Sequence, residues 1–399
     1  MTQPNLNTFS PACQYSDASR VFPQLGKASS IVVVGAGAFG GWTALYLLRQ
    51  GFQVTLVDAW GAGNSRSSSG DETRVIRSTY GSNELYFDLN VRALELWKEN
   101  QERFAKKLFH NSGVLWFCYE EKTPVVDDSI PFAQKHNMLY ERLSNSELKK
   151  RFPIVNNNDL HHSYFDAHGG YLKAREATMA VFDSFIKEGG TFIQTETSPG
   201  KIRNGKIENV LLSNGNTLTA DAYLFACGSW LGKLFPEVLE NVITCTKQEV
   251  YYFGVPSKHA SHFENFPAWI DVDGKEFYYG ISNNANRGFK IGVDKRGENF
   301  DPTHGERSAN PEVLKEAREF IEHRFPLLKN APLLESRVCP YENSPDGNFI
   351  FDLHPETNNL FFLGGGSGHG FKHGPALGEL VANVLAGKEK APALFMIKG

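Results

Sequence analysis

The strongest hydrophobic pattern near the start of the chain is a β-branched run that ends in a glycine cluster. Ile31-Val32-Val33-Val34 predicts a short strand with both faces buried, as in the centre of a parallel sheet. Apolar residues at helical spacing follow over 41–48, and a second strand is predicted over 53–57, ending at Asp58. The segment 31–58 therefore predicts a strand–helix–strand unit of the size that binds dinucleotides.

Later segments repeat this alternation and then change to long strands. Alternating apolar and polar residues dominate 246–294, which predicts an antiparallel sheet with one ligand-facing side. The other predicted elements are a helix through Leu89, Leu94, Leu96 and Trp97, a strand at 114–118, a helix at about 173–188, a strand at about 191–195, a hairpin turning on Asn214-Gly215, a strand at 222–226, a strand at 360–363 and a helix from about Pro375.

The order of these elements predicts an α/β fold with two domains. We expect a Rossmann-type nucleotide-binding domain assembled from 29–112, 165–240 and 330–395. A second, α+β domain built on an antiparallel sheet is expected from 113–164 and 241–329. Residues 1–28 lack periodicity and predict an N-terminal tail, which Phe9, Tyr15 or Phe22 could pin to the domain.

Composition and charge exclude several classes of protein. The 399 residues carry 41 Lys and Arg against 45 Asp and Glu, a net charge of −4, so there is no positive field to attract nucleic acid or an anionic membrane. No apolar run approaches the ~18 residues of a membrane span. Five cysteines without a C-x-x-C pair indicate neither a disulfide framework nor a zinc site. We expect a cytoplasmic protein without a metal.

The N-terminal glycines form a G-x-G-x-x-G fingerprint. Gly35 permits a tight turn, Gly37 lets the backbone approach a pyrophosphate, and Gly40 lets the helix pack against the strand. Asp58 ends the second strand, where a carboxylate can accept hydrogen bonds from an adenosine ribose. The alternative is a purely structural glycine turn, and the fingerprint alone does not separate FAD from NAD.

A second glycine cluster follows the last predicted strand. Gly366, Gly368, His369 and Gly370 lie within the run 364–370, and Lys372 stands just beyond it. Backbone without side chains suits the close approach of a flat, bulky group, and a lysine beyond it could point at that group. A flexible surface loop ending in a solvated lysine is the alternative.

Charged residues at regular spacing mark two further segments. Arg74 and Arg77 share a face if their segment is helical and oppose each other if it is extended. In the predicted strand 289–294, Lys290, Gly292 and Asp294 alternate with apolar residues, which leaves an open position between a cation and an anion. A solvated strand face is the simpler interpretation.

The order of motifs from about residue 29 to about 390 resembles the monomeric sarcosine oxidase and N-methyltryptophan oxidase family, flavoproteins that share the fold of D-amino-acid oxidase. A match spread over the whole chain is more specific than either glycine pattern. The matching motifs are Glu72-Thr73-Arg74-Val75-Ile76-Arg77, Tyr80-Gly81, Tyr279-Gly280, Lys290, Cys339, Tyr341-Glu342-Asn343-Ser344-Pro345-Asp346, Phe349-Ile350-Phe351-Asp352 and Ser367-Gly368-His369-Gly370-Phe371-Lys372.

The resemblance implies FAD as the cofactor and a role for each matching residue. Cys339, by residue type alone an inert small side chain, would carry FAD covalently through its sulfur. Arg77 and Lys372 would bind the substrate carboxylate, and Lys372 would also face the flavin. Lys290 would promote the reaction with O₂, Tyr279 would line the substrate cavity, and Arg74 would lie near the flavin.

The implied activity is oxidation of the C–N bond of a secondary or related amino acid, by hydride transfer to flavin N5, followed by imine hydrolysis and formation of hydrogen peroxide. The family has a histidine where this chain has Asp294, and the loop 67–71 lacks the family's histidine, so we expect a substrate other than sarcosine. Alternatives are a glycated or primary amino acid as substrate, an NAD-dependent dehydrogenase, and a non-catalytic flavin scaffold. We expect a monomer.

Overall fold

The computed structural model describes residues 22–272, 277–282 and 284–398, and its elements follow the predicted hydrophobic pattern closely. The strands are β1 (Ser30–Val34), β2 (Gln53–Asp58), β3 (Thr73–Ile76), β4 (Phe109–His110), β5 (Val114–Cys118), β6 (Tyr140–Leu143), β7 (His162–Asp166), β8 (Gly170–Lys173), β9 (Thr191–Gln194), β10 (Thr197–Pro199), β11 (Ile202–Arg203), β12 (Lys206–Ile207), β13 (Val210–Leu212), β14 (Thr217–Leu218), β15 (Ala222–Phe225), β16 (Thr244–Phe253), β17 (Ala268–Asp271), β18 (Tyr278–Ile281), β19 (Phe289–Val293), β20 (Leu333–Asn343), β21 (Ile350–Leu353) and β22 (Leu360–Gly364). The α-helices are α1 (Ala38–Arg49), α2 (Glu84–Phe104), α3 (Pro124–Asp127), α4 (Ile130–Lys135), α5 (Asn145–Arg151), α6 (Ala174–Lys187), α7 (Leu231–Leu234), α8 (Pro236–Leu239), α9 (Ala260–Glu264), α10 (Pro311–Arg324) and α11 (Gly374–Leu385).

A six-stranded sheet in the order β21-β22-β15-β1-β2-β9 forms the first layer of the fold. Its strands from β22 to β9 are parallel, and β21 adds an antiparallel edge. Ile31 and Val33 pack into one hydrophobic cluster while Val32 and Val34 pack into another. Both faces of β1 are therefore buried, which confirms the prediction from its β-branched run. Helices α6 and α11 pack against α1 on one side of this sheet.

An eight-stranded sheet in the order β20-β16-β19-β18-β17-β5-β7-β6 forms the second large layer. Its pairs are antiparallel except for β17 and β5, which run parallel, so the predicted antiparallel sheet is mixed at that point. Phe289, Ile291 and Val293 pack with α10 in a hydrophobic core, while Lys290 and Gly292 lie on the opposite face of β19. The predicted alternation of β19 is confirmed.

Register places the candidate chemistry on that opposite face. Lys290 is opposite Tyr252, and Gly292 is opposite Tyr279 on the other neighbouring strand. Cys339 is opposite Gln248, four residues before Tyr252 on β16. Because directly opposed residues share a face and the side-chain period is two, these side chains line one surface of the sheet.

Two segments bear on the predicted domain division. Strand β20 pairs along its length with β16, so this part of 330–395 extends the eight-stranded sheet. Phe22 packs on Phe351 and Phe361 with ring centroids 5.0 and 6.0 Å away, so the described end of the predicted tail lies against the first layer. Phe9 and Tyr15 lie outside the described residues. The domain boundaries stay a prediction.

Within 22–272, 277–282 and 284–398, every helix is too short or too polar to cross a bilayer. The same residues contain no group of three His, Cys, Asp or Glu side chains arranged to hold a metal ion.

Candidate active site

A cavity of about 340 Å³ opens at the carboxyl ends of β1, β2 and β15, the edge where open parallel sheets bind ligands. It extends to the eight-stranded sheet and to the terminal glycine run. Predicted cofactor residues that line it are Gly35, Gly37, Asp58, Arg74, Gly366, Gly368 and Gly370. The cavity therefore joins two glycine clusters that lie more than 300 residues apart in sequence.

The first glycine turn is shaped by close backbone contacts. Gly35 has φ +109°, and a Cβ there would lie 2.8 Å from the Ala226 carbonyl carbon. A Cβ on Gly40 would meet the Gly35 carbonyl oxygen. Gly37 caps α1 without a side-chain hydrogen bond of its own and lines the cavity, so the N-terminal end of this helix faces it; the Ala38 N–H already donates to Ser69 Oγ at 3.0 Å.

Asp58 lies at the end of β2 and borders the cavity, as predicted. Its carboxylate accepts hydrogen bonds from the backbone N–H groups of Ala36, Trp60 and Gly61, each at 2.8 Å. Burial raises its pKa, and the three N–H donors oppose that rise. Three bonds leave about one acceptor position on the carboxylate for a ribose hydroxyl.

The terminal glycine run packs directly against β20. A Cβ on Gly368, which has φ +80°, would lie 2.6 Å from the Tyr341 ring. The Gly366 N–H donates to Glu342 Oε1 at 3.3 Å, while Glu342 Oε2 is buried and lacks a hydrogen-bond partner among the described atoms. Burial raises the pKa of Glu342 to about 7. A protonated carboxyl group here can donate a hydrogen bond into the cavity.

His369 lies behind the run rather than in the cavity lining. Its ring is stacked on Phe349, with centroids 4.9 Å apart. Nε2 is 2.9 Å from the Gly347 carbonyl, which can only accept, so Nε2 carries the proton and Nδ1 accepts from the Tyr80 hydroxyl at 3.0 Å. Burial and Lys372 hold the pKa of His369 well below its usual range, so the ring is neutral.

Arg74 and Cys339 meet at the boundary between the two layers. Arg74 lies on β3, an extended segment, and its Nη2 is 3.9 Å from the Cys339 sulfur. Cys339 is 6 % exposed. Burial raises its pKa and Asp71 raises it further, whereas Arg74 and Lys290 lower it. The thiol therefore sits among charges that act on it in opposite directions.

Lys290 is 1 % exposed, and its ammonium is held by the loop that precedes β3. Nζ donates to the carboxylate of Asp71 and to the Thr73 carbonyl, the latter at 2.9 Å. Burial lowers the pKa of Lys290, and Asp71 opposes that shift. The buried ammonium of Lys290 is therefore paired with a carboxylate that lies 219 residues away in the sequence.

Arg77 and Lys372 form a second cationic pair. The Arg77 guanidinium carbon is 4.9 Å from the Tyr80 ring centroid, and Lys372 Nζ is 5.1 Å from the same centroid. Burial and Arg77 hold the pKa of Lys372 well below its usual range. Two cationic side chains beside one ring favour an anion near them.

Asp294 is already paired with a cation. Arg296 Nη1 is 3.1 Å from Asp294 Oδ1, and Arg296 Nη2 donates to the Ser367 carbonyl at 3.0 Å. Burial raises the pKa of Asp294, while Arg296, Arg77 and Lys372 oppose the rise. Asp294 therefore belongs to a charge network with Arg296, Arg77 and Lys372.

The position predicted to be open on β19 is filled. A Cβ on Gly292 would lie 2.6 Å from Tyr279 Oη, because the Tyr279 ring lies across this glycine. Tyr279 Oη is also 3.4 Å from Tyr341 Oη, which connects the sheet face to the cavity lining. The prediction of an open position at Gly292 was wrong, because the pairing of β18 with β19 places the Tyr279 ring over this glycine.

Comparison with known proteins assigns the family. A family profile described as "FAD dependent oxidoreductase" matches residues 30–384. The chain belongs to this family. Monomeric sarcosine oxidase of Bacillus sp. (strain B-0618) is 30 % identical over 369 residues, covering 90 % of this chain and 92 % of that protein. N-methyl-L-tryptophan oxidase of Salmonella dublin is 27 % identical over 364 residues, covering 90 % and 95 %.

Solved structures give the same fold. Fructosyl amine:oxygen oxidoreductase from Aspergillus fumigatus superposes with a TM-score of 0.77 at 20 % identity, covering 94 % of this chain and 90 % of that chain. The predicted α/β fold class and the predicted resemblance are both confirmed. Membership of an FAD-dependent family decides between FAD and NAD, which the glycine fingerprint leaves open.

The residues of the cavity fit FAD. Backbone N–H groups at the start of α1 suit a pyrophosphate, and Asp58 retains acceptor capacity for a ribose. Among the described residues, Glu342 Oε2 is a buried polar atom without a protein partner at the same cavity. Arg74 borders the cavity beside Cys339. The lining therefore offers groups suited to the phosphates and a ribose of FAD, and a thiol lies next to it.

Sequence interpretation missed several residues that shape this site. Asp71 directly precedes the motif that begins at Glu72, and Tyr341 begins a motif of its own. Tyr341 also lies two residues after Cys339, and this spacing indicates that both side chains are on the same face of a strand. Arg296 has the same spacing from Asp294. Trp60 and Trp230, which line the far end of the cavity with ring centroids 4.8 Å apart, have no signal of this kind.

Proposed function

We propose that this protein is an FAD-dependent amine oxidase that oxidises the C–N bond of a secondary α-amino acid and passes the electrons to O₂. The observation that carries the proposal is the cationic pair Arg77 and Lys372, whose charges lie beside the Tyr80 ring and favour an anionic ligand. A carboxylate satisfies both cations, with a bidentate contact to the guanidinium and a point-charge contact to the ammonium.

Binding of the carboxylate orients the rest of the substrate. We expect Tyr279 and Tyr341, whose hydroxyl oxygens are 3.4 Å apart, to restrict the position of the amine. FAD, when bound, supplies a two-electron acceptor for the substrate C–H bond and a donor for O₂. The amine loses two electrons and two hydrogens to become an imine, O₂ gains them to become hydrogen peroxide, and water hydrolyses the imine to a carbonyl compound and an amine.

Lys290 provides a fixed positive charge for the oxidative half of this cycle. Its ammonium is buried and held in place by Asp71 and Thr73, so no reorganisation is needed when negative charge develops on O₂. Cys339 serves as the attachment point of FAD. Arg74, at 3.9 Å from the sulfur, favours the thiolate form that covalent attachment requires.

The experiment that tests this function is a peroxide assay on matched substrate pairs. N-methyl amino acids, cyclic imino acids and glycated amino acids are each compared with the corresponding amine that lacks the carboxylate. We expect at least one carboxylate-bearing compound to give one peroxide per O₂ consumed, and its partner to react about 10²-fold more slowly. Equal rates for both members of every pair would contradict the carboxylate clamp.

A pair of variants locates the clamp. Lys372→Met should raise KM for the reactive amino acid far more than for its decarboxylated partner, because only the former loses an ionic contact. Lys388→Met is the matched control, since Lys388 contacts Gln50 at an exposed position just beyond the C-terminal end of α11. An equal loss for both compounds in Lys372→Met would show that the lysine does not bind the carboxylate.

A further inference from the structure

Asp71 occupies the junction between the residues that the proposed function uses for O₂ and for flavin attachment. Its side chain is fully buried. Its Oδ2 accepts hydrogen bonds from Lys290 Nζ and from Arg74 Nη1, the latter at 2.5 Å, and its Oδ1 accepts from the Tyr252 hydroxyl at 2.9 Å. One carboxylate therefore hydrogen-bonds two cations in a space that excludes water, and a third cation, Arg337, has its Nη1 3.9 Å from Oδ1.

The three side chains that donate hydrogen bonds to Asp71 come from separate elements. Arg74 lies on β3, Lys290 on β19 and Tyr252 on β16, where Tyr252 is directly opposite Lys290. Arg74 and Lys290 repel each other, since both side chains are positively charged. The carboxylate is the group that makes their proximity favourable, and Cys339 lies within 3.9 Å of one of them.

We propose that Asp71 is a positioning residue that fixes Lys290 and Arg74 as one ion cluster beside Cys339. It touches neither substrate nor O₂ in the proposed reaction, and it acts through the two cations. This inference rests on the proposed function for the role of Lys290, whereas its effect on Cys339 is a property of the protein alone.

The charges of the cluster act on Cys339 with opposite signs. Asp71 disfavours the thiolate, and Arg74 and Lys290 favour it. Removing the carboxylate should therefore lower the pKa of Cys339, and removing the Lys290 ammonium should raise it. General loosening of the structure would instead expose the thiol and shift its reactivity in the same direction in both variants.

Lys290 also depends on the cluster. Asp71 raises the pKa of its ammonium, while burial and Arg74 lower it. Without the carboxylate, Lys290 should lose its proton at a lower pH. Reoxidation by O₂, which needs the cation, should then fall with rising pH earlier than in the wild type. The titratable or charged groups that face Lys290 are Asp71, Arg74, Tyr252 and Cys339.

The test measures alkylation of Cys339 by iodoacetamide in the apoprotein as a function of pH, with the modified cysteine identified by peptide mass spectrometry. Asp71→Asn should move the midpoint of the rate profile to lower pH by about one unit or more, a tenfold gain in thiolate below the midpoint. Lys290→Met should move it to higher pH. Adding Asp71→Asn to Lys290→Met should move it back down.

Glu72→Gln is the matched control. Glu72 is the next residue and pairs with Arg337 at 2.8 Å, so this variant also removes a carboxylate from the same loop while leaving the Lys290 contact intact. Its alkylation profile should match the wild type. The double variant keeps the test available if Asp71→Asn alone does not fold, because it removes both members of the Asp71–Lys290 pair while Arg74 keeps its hydrogen bonds to the Ser68 and Thr73 carbonyls.

Equal shifts of the same sign in Asp71→Asn and Lys290→Met, or no shift on adding Asp71→Asn to Lys290→Met, would overturn the inference. In the holoenzyme, Asp71→Asn should slow reoxidation at least tenfold at pH 8 while reduction by substrate changes little, and equal slowing of both steps would also overturn it. Opposite thiol shifts in a protein that oxidises no amino acid would contradict the proposed function and leave the ion cluster standing.

Discussion

Replacement of Gly292 by alanine is expected to move the Tyr279 ring and to impair substrate oxidation. The added Cβ would lie 2.6 Å from Tyr279 Oη, whereas carbon atoms in ordinary contact with their neighbours lie about 3.5 Å away. The ring must therefore shift by about 1 Å. Overpacking of this kind destabilises a core by about 1–3 kcal/mol, and a 1 Å displacement near reacting groups lowers rates by about 10²-fold.

The assay is kcat/KM for the amino acid identified by the peroxide screen, together with the thermal unfolding midpoint. Gly292→Ala should lose about 10²-fold in kcat/KM and a few degrees in Tm while still incorporating flavin. Gly41→Ala, whose added Cβ would come no closer than 3.6 Å to a neighbour, is the control: it should leave kcat/KM unchanged and should not lower Tm, since alanine is favoured over glycine inside helix α1. Wild-type kcat/KM in Gly292→Ala would refute the contact between this glycine and Tyr279.

Three further variants test individual charges. Arg74→Met removes a cation 3.9 Å from the Cys339 sulfur, whose interaction with the thiolate is worth about 4 kcal/mol at an effective dielectric constant of about 20. Covalent incorporation of FAD into the apoprotein should therefore slow at least 10²-fold. An unchanged rate would argue against a role of Arg74 in activating this thiol. Lys290→Met should slow oxidation by O₂ by about 10²-fold or more in stopped-flow traces and leave anaerobic reduction nearly unchanged. The pKa of Glu342 is raised from 4.5 to about 7 in the folded protein, so the stability that this group contributes is present below about pH 4.5 and is lost as pH rises through 7. Glu342→Gln should therefore remove about 3 kcal/mol from the change in unfolding free energy of the apoprotein between pH 5 and 8. An unaltered profile would show that the carboxyl group titrates normally.

Regular hydrophobic patterns in the sequence predicted most of the strands and helices. Strand β5 occurs at the predicted residues, and the helix predicted at about 173–188 occurs as Ala174–Lys187. These elements are determined by local periodicity, which survives whatever they pack against. The parallel pairing of β17 with β5 could not be foreseen, because it joins segments 154 residues apart and depends on tertiary packing alone.

The candidate site was predictable wherever a motif fixes the chemistry, and unpredictable wherever register does. Gly35, Gly37 and Asp58 border the cavity as expected from the βαβ fingerprint. By contrast, the position of the Tyr279 ring over Gly292 follows from which residues of β18 and β19 are opposite each other. A shift of one residue in that pairing would place different side chains on the site face.

Charge partners were the hardest feature to predict. The sequence marks Asp294 as one side of an open position but does not show that Arg296, two residues away, pairs with it. Lys290 was expected to promote the reaction with O₂, and nothing in the sequence pointed to Asp71 as the carboxylate that holds it. A buried charge requires a counter-charge, so sequence can predict that a partner exists but not where along the chain it stands.

The proposed function and the roles of the charges around Cys339 depend on a flavin joined to this residue. The mass of the intact denatured polypeptide tests that linkage most directly. The purified wild-type protein should exceed the mass of its sequence by that of one FAD, and Cys339→Ser, which removes the sulfur and keeps the shape of the site, should show the polypeptide mass alone. A wild-type mass equal to that of the bare chain, or an adduct retained in Cys339→Ser, would contradict the assignment of this thiol and of the charges arranged around it.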